Sequence, residues 1–212
     1  MGQLLMTGRL GRVTQLVGSA VTTLVLAACG PGPGALTGGK ITSEDLKASA
    51  QRERNEGHLE SAEMLADGAI DKAEYDKAFS NLSRCMGDGG YRVTDPVVSP
   101  VDGLAFAFDY DPQGRDLGAM SDHSLPCEQR YWLPVSAAYM ATHEQKMDEP
   151  LRSSMQKCMK AAGYDISDEA KTFRAIAGDP FAEDSSRDRK AMDCFGEGMT
   201  RLYPAIKSAG IW

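Results

Sequence analysis

Apolar side chains recur at two different periods along this chain, and the change of period marks its elements. Over residues 71–86, Tyr75, Ala78, Phe79, Leu82, Cys85 and Met86 stand three and four apart, the spacing that gathers side chains on one face of a helix. Asp71 followed three residues later by Glu74 has the form of a capping box, and Gly87-Asp88-Gly89-Gly90 ends the helix. The same spacing returns over 149–162 in Leu151, Met155, Cys158, Met159 and Ala162, with Gly163 as the stop. It returns again over 184–202 in Met192, Cys194, Phe195, Met199 and Leu202, closed by Tyr203-Pro204. Cys127, Tyr131, Trp132, Val135, Ala138 and Tyr139 predict a helix after a polar loop that runs to Pro126, with a kink or boundary at Pro134. Thr42 or Ser43 caps a more polar helix reaching about Ala66, with Gly57 as its weak point and Asp67-Gly68 as its end. Ser167 caps a short helix carrying Phe173 and Ile176.

Between the helices the period drops to two. In Leu104-Ala105-Phe106-Ala107-Phe108-Asp109-Tyr110 the large residues alternate, as on a strand with one buried face. Tyr91–Val93 is a candidate partner, reached through Pro96 and Pro100, with Asp102-Gly103 as a turn. The predicted fold class is α+β and mostly helical: helical hairpins with a small β-hairpin, stapled by two disulfides.

One stretch is apolar without a period. From Leu16 to Ala28 the side chains are apolar or small, Arg9 and Arg12 precede them, and no acid occurs before Glu44. That is the length of a signal-peptide core and too short for a helix spanning about 30 Å of hydrocarbon. Leu26-Ala27-Ala28-Cys29 closes it and resembles the lipobox of bacterial lipoproteins. The resemblance implies cleavage before Cys29 and a diacylglyceryl group, with palmitate as a typical chain, on its sulfur. Two or more acyl chains anchor stably, at about 0.8 kcal/mol per buried methylene. The organisation expected is a lipoprotein signal peptide over 1–28, a flexible Gly/Pro tether over 29–41 and one extracytoplasmic domain over 42–212. The net charge of −7 at pH 7 becomes more negative once 1–28, with two arginines, is removed. Nucleic acid is thereby disfavoured as a partner, and the membrane is met through the lipid on Cys29.

The compartment bears on the other cysteines. Cys85, Cys127, Cys158 and Cys194 are even in number, and outside the cytoplasm disulfides are the default. Arg84-Cys85-Met86 leads to Gly90-Tyr91 as Lys157-Cys158-Met159 leads to Gly163-Tyr164, and each element is followed by a further cysteine, Cys127 or Cys194. This repetition favours Cys85–Cys127 and Cys158–Cys194 among the three connectivities four cysteines allow. A zinc site would want close CxxC pairs, of which there are none. A nucleophilic cysteine with a histidine partner has no motif behind it.

Other motifs fail on chemistry. Gly34 to Lys40 satisfies GxxxxGK, but Ile41 stands where a magnesium-binding Ser or Thr belongs. Glu63 to Glu74 and Asp109 to Met120 are partial calcium loops, the first lacking an oxygen at Leu65 and the second lacking its bidentate glutamate at Met120. His143-Glu144 begins HExxH, with Met147 in place of the second histidine. Asp122-His123-Ser124 sets triad residue types side by side, where triads are assembled in space. The eleven methionines fall mostly at core spacings. No cofactor, metal ligand or catalytic residue is assigned.

The Cys-Met…Gly-Tyr elements, the Asp-Gly…Glu-Tyr hairpin and the order cysteine, helix, proline over residues 43–200 resemble uncharacterised secreted lipoproteins of high-GC Gram-positive bacteria. That resemblance implies a fold and an address and transfers no functional residue. The function expected is a non-catalytic binding or scaffolding module at the cell membrane's outer face, meeting an envelope protein or ligand. The alternative is an envelope hydrolase whose site forms only in the fold. A cleft joining His123 or His143 to two carboxylates would favour the enzyme, and a broad exposed patch of Tyr131, Trp132 or Trp212 would favour binding. Replacing Cys29→Ser is expected to leave an unprocessed or soluble chain on membrane fractionation; unchanged attachment would overturn the lipobox.

Overall fold

The computed structural model describes residues 41–179 and 185–206. Cys29 and its signal segment, the tether up to Lys40, the GxxxxGK stretch and Trp212 lie outside the described residues. Helix α1 (Ser43–Glu56) opens with a reciprocal cap, in which Thr42 Oγ1 accepts the Asp45 N–H and the Asp45 carboxylate accepts the Thr42 N–H. It ends at Gly57, whose φ of 84° turns the chain in the left-handed region that a side chain resists. The single helix expected as far as Ala66 is therefore two, the second being α2 (Leu59–Met64). Helix α3 (Lys72–Asp88) starts at the Asp71–Glu74 capping box, as its sequence predicts.

The β region is one two-stranded ribbon with an irregularity in it. Strand β1 (Arg92–Val93) pairs with β4 (Tyr110–Asp111), and β2 (Val97–Val98) pairs with β3 (Phe106–Ala107), both antiparallel. Between the two pairings Thr94 N–H still bonds Asp109 O, so Asp95 and Pro96 together stand opposite Phe108. Pro96 has no N–H to give the ladder, and a bulge absorbs it. The segment 104–110 is thus divided rather than one strand with a buried face, and Phe106, Phe108 and Tyr110 all lie half-buried.

Helix α4 (Leu117–Cys127) replaces the polar loop expected before Pro126. Asp116 caps it by accepting the Ala119 N–H, but nearly all of it lies on the surface, so it carries no apolar period for the sequence to show. After Cys127 the helix widens into a π-turn (Glu128–Trp132) and continues as α5 (Leu133–Thr142), with Pro134 in the first turn, where a missing N–H matters least. The Arg130 carbonyl on the widened turn accepts the buried Ser61 hydroxyl at 2.6 Å, which ties α2 to it. The remaining helices are α6 (Glu149–Ala161), α7 (Phe173–Ala177) and α8 (Ser186–Leu202). Thr172, not Ser167, caps α7; Ser167 instead accepts the Glu169 N–H in a turn. Among the described residues no helix is long and apolar enough to cross a membrane.

Two hydrophobic cores form. The first, from α1 to α5, is centred on Tyr75, whose ring stacks on Tyr139 at 4.3 Å and meets Phe106 and Trp132 at 4.7 and 4.9 Å. Its hydroxyl accepts the Phe106 N–H at 3.1 Å, and burial holds that phenol above its ordinary pKa. The second core joins Leu151, Met155 and Met159 of α6 to Ala191, Phe195 and Met199 of α8. The ribbon spans both. Its sides pack on the first core, while Val101 at its tip enters the second and Pro100 and Asp102 accept the N–H groups of Asp148 and Lys146.

Tyr75→Phe keeps the ring and removes the acceptor of the Phe106 N–H. It is expected to lower unfolding free energy by about 1–2 kcal/mol in denaturant titration.

Candidate functional site

Both cysteine pairs predicted from the repeat are joined: Cys85–Cys127 with Cα atoms 5.8 Å apart, and Cys158–Cys194 at 5.7 Å. Each links a Cys-Met helix, α3 or α6, to a facing helix, α4 or α8. The loops closed span 42 and 36 residues, and in the chain-entropy account each contributes about 4 kcal/mol. The two helix ends also match. Gly90 and Gly163 adopt positive φ, and Tyr91 and Tyr164 return their N–H groups to Met86 O and Met159 O at 3.0 and 3.1 Å.

Around the first bridge the repeat acquires chemistry that the second lacks. His123 lies one turn before Cys127 on α4, so both side chains face α3. Its Nε2 donates to the Cys85 carbonyl at 2.9 Å and stands 3.7 Å from Cys127 Sγ. The Cys85 carbonyl lies in the last turn of α3, at the negative end of the helix dipole, and its backbone bond from the Gly89 N–H is long at 3.4 Å, which suits an added imidazole N–H. Gly89 permits this approach, since a Cβ there would sit 2.4 Å from His123 Nε2. The Arg115 guanidinium covers Gly90 in the same way and lies 5.7 Å from the Tyr91 ring, which in turn is 5.6 Å from the His123 ring. Cys127 is buried, with 1% of its surface exposed, and Cys85 is half-buried. By contrast no hydrogen-bonding group meets either sulfur of Cys158–Cys194 among the described residues, and Gly163 faces open space.

A second cluster forms at the corner between α1 and α2. Gly57 turns the chain so that His58 comes back over the last turn of α1, with Nδ1 2.9 Å from Glu53 Oε2 and 3.7 Å from Glu56 Oε2. Glu53 is buried, and one ligand-type atom from each of the three residues lies within 4.8 Å of the others. Neither His123 nor His143 is gathered with two carboxylates among the described residues; the histidine that has two beside it is His58. Its sequence signal is Glu53, Glu56 and His58 around Gly57, two acids on one helix face followed by a turn.

The remaining sequence candidates are structural. His143 Nδ1 donates to Tyr139 O, and its ring packs on Tyr139 at 4.0 Å. Met147 is buried in the second core. Asp122 is exposed and the Ser124 hydroxyl bonds Ser121 O, so Asp122-His123-Ser124 forms no triad. In the first calcium-like loop Asp67 accepts the Ala69 N–H and Glu74 is held in the α3 cap. In the second, Asp111 is held by the Gln113 N–H and by Arg92, which together lower its pKa. Trp132 is core rather than surface, and Tyr131 is half-buried against Arg130. Tyr203 donates to Asp148 at the start of α6; burial first, and then that carboxylate, push its phenol up to about 12.

Compared with protein-family models, curated proteins and solved structures, the chain matches none. The glycines at the first bridge offer a direct test of the packing around it. Gly90→Ala meets both a φ of 79° and the Arg115 side chain, and a loss of about 1–3 kcal/mol is expected in denaturant unfolding. Gly87→Ala, inside α3 and facing nothing within 4 Å, is expected instead to gain about 0.5–1 kcal/mol.

Proposed function

We propose that this protein is a membrane-anchored lipoprotein, held at the extracytoplasmic face by lipid on Cys29, whose folded part is a non-catalytic binding or scaffolding module for an envelope protein or ligand. The address rests on the lipobox and on a fold with two disulfides, which persist in an oxidising compartment. The binding role rests chiefly on one observation. Along the continuous stretch of α4, π-turn and α5, Leu117, Leu125 and Leu133 stand eight residues apart and are 64%, 53% and 44% exposed. Exposed leucines in series offer apolar area to a partner. Two open grooves among the described residues lie elsewhere, about 230 Å³ beside Val97 and Phe108 and about 300 Å³ beside Phe195 and Tyr203.

Leu117→Glu together with Leu125→Glu tests this reading, because both side chains are exposed and the fold tolerates a charge at such positions. The expected result is unchanged circular dichroism with at least about tenfold weaker retention of the partner captured from envelope extract by the wild-type chain. Equal retention by both forms, or no partner retained by the wild type, would overturn it.

A second reading, an envelope hydrolase, is favoured by His58 between Glu53 and Glu56. The intact chain assayed on chromogenic esters, phosphoesters and glycosides is expected, on this reading, to show an activity that His58→Ala removes. Hydrolysis that survives the substitution, or none at all, eliminates it.

A further inference from the structure

We propose that the Cys85–Cys127 bridge is a thiol–disulfide exchange site that takes electrons from a dithiol, with His123 serving Cys127 as the leaving sulfur. The inference goes beyond the binding role and does not depend on it. Three observations meet at this bridge. Cys85 is the half-buried member and Cys127 the buried one, so an incoming thiolate reaches Cys85. Attack at Cys85 makes Cys127 the leaving sulfur, and that is the sulfur His123 Nε2 approaches, at 3.7 Å. The nitrogen facing it carries the proton, because its other partner, the Cys85 carbonyl at 2.9 Å, can only accept.

The exchange balances as follows. A thiolate of the donor dithiol attacks Cys85 Sγ, forming a mixed disulfide and breaking the Cys85–Cys127 bond. The electron pair passes to Cys127 Sγ, where the His123 Nε2–H turns from the Cys85 carbonyl to the new thiolate. The donor's second thiolate then attacks its own sulfur in the mixed disulfide and releases Cys85 as a thiolate. The donor leaves as a disulfide, and the two protons it gave up reach Cys85 and Cys127 through solvent. A leaving thiolate that is stabilised leaves faster, and a neighbouring imidazole N–H supplies that stabilisation.

The molecule contains its own control. Cys158–Cys194 has the same helix end, a half-buried first cysteine and a buried second one, but no hydrogen-bonding group meets its sulfurs among the described residues. Gly89 and Gly90 against Gly163 make the same point, since only the first pair is covered, by His123 and Arg115.

The test uses the full chain in detergent micelles, treated with dithiothreitol without denaturant, quenched by alkylation and mapped by mass spectrometry. Cys85–Cys127 is expected to open at least about tenfold faster than Cys158–Cys194, and His123→Phe, which keeps a ring but has no N–H to donate, is expected to bring it to the rate of the second bridge. The sign separates chemistry from packing, because a substitution that merely loosens the site speeds opening, whereas loss of the N–H donor slows it. Equal rates for the two bridges in the wild type would overturn the proposal. So would a His123→Phe chain with wild-type circular dichroism that opens as fast or faster. Should His123→Phe fail to fold, the comparison of the two bridges in the wild type still decides.

Discussion

The covalent closure of each half carries the greatest weight in this structure. Each half has a modest core, one aromatic around Tyr75 and one rich in methionine around Met155 and Met159. Each is closed where a Cys-Met helix meets a facing helix. Cores this small leave little margin over the entropy of ordering the chain, so a bridge of about 4 kcal/mol is a large fraction of what a domain has. The ribbon then makes the halves one body, with its sides on the first core and Val101 in the second.

Repetition followed by divergence explains where reactivity could arise. The two helix ends share a left-handed glycine, a returning tyrosine N–H and a bridge. Only the first has a surface helix, α4, laid across it, and α4 brings both His123 and Cys127 to the end of α3. The same device that closes the half thus also sets an imidazole beside sulfur. Stability and exchange are coupled there, because the bond that holds α4 down is the bond a thiolate would open.

The proposed binding role fits a fold whose grooves beside Val97 and beside Tyr203 are open ones. Apolar side chains go mostly to the two cores, the charged faces of α1 and α8 meet water, and exposed leucines along α4 and α5 remain available for a partner. The corner at His58 joins α1 to α2 and gathers Glu53 and Glu56 about the imidazole. Its carboxylates gather because Gly57 ends α1 where it does.

Much of the fold was legible in the chain. Helices α3, α6 and α8, the α3 cap, the boundary at Pro134 and both cysteine pairings followed from period, capping residues and repetition, all of which are local in sequence. The splitting at Gly57 was marked as a weakness, and the cap at Thr172 was misplaced to Ser167. What the chain did not show depended on surfaces meeting. Helix α4 has no apolar period because one wall of it meets α3 and the rest meets water, so its ten residues before Cys127 read as loop. His123 and Cys127 stand four apart, a spacing that sets two side chains on one helical face, but that signal is silent unless α4 is known to be a helix. His58 lies between two acids only once a left-handed glycine folds it back. Local propensity determined the elements; tertiary packing decided which polar groups were brought within reach of sulfur and of one another.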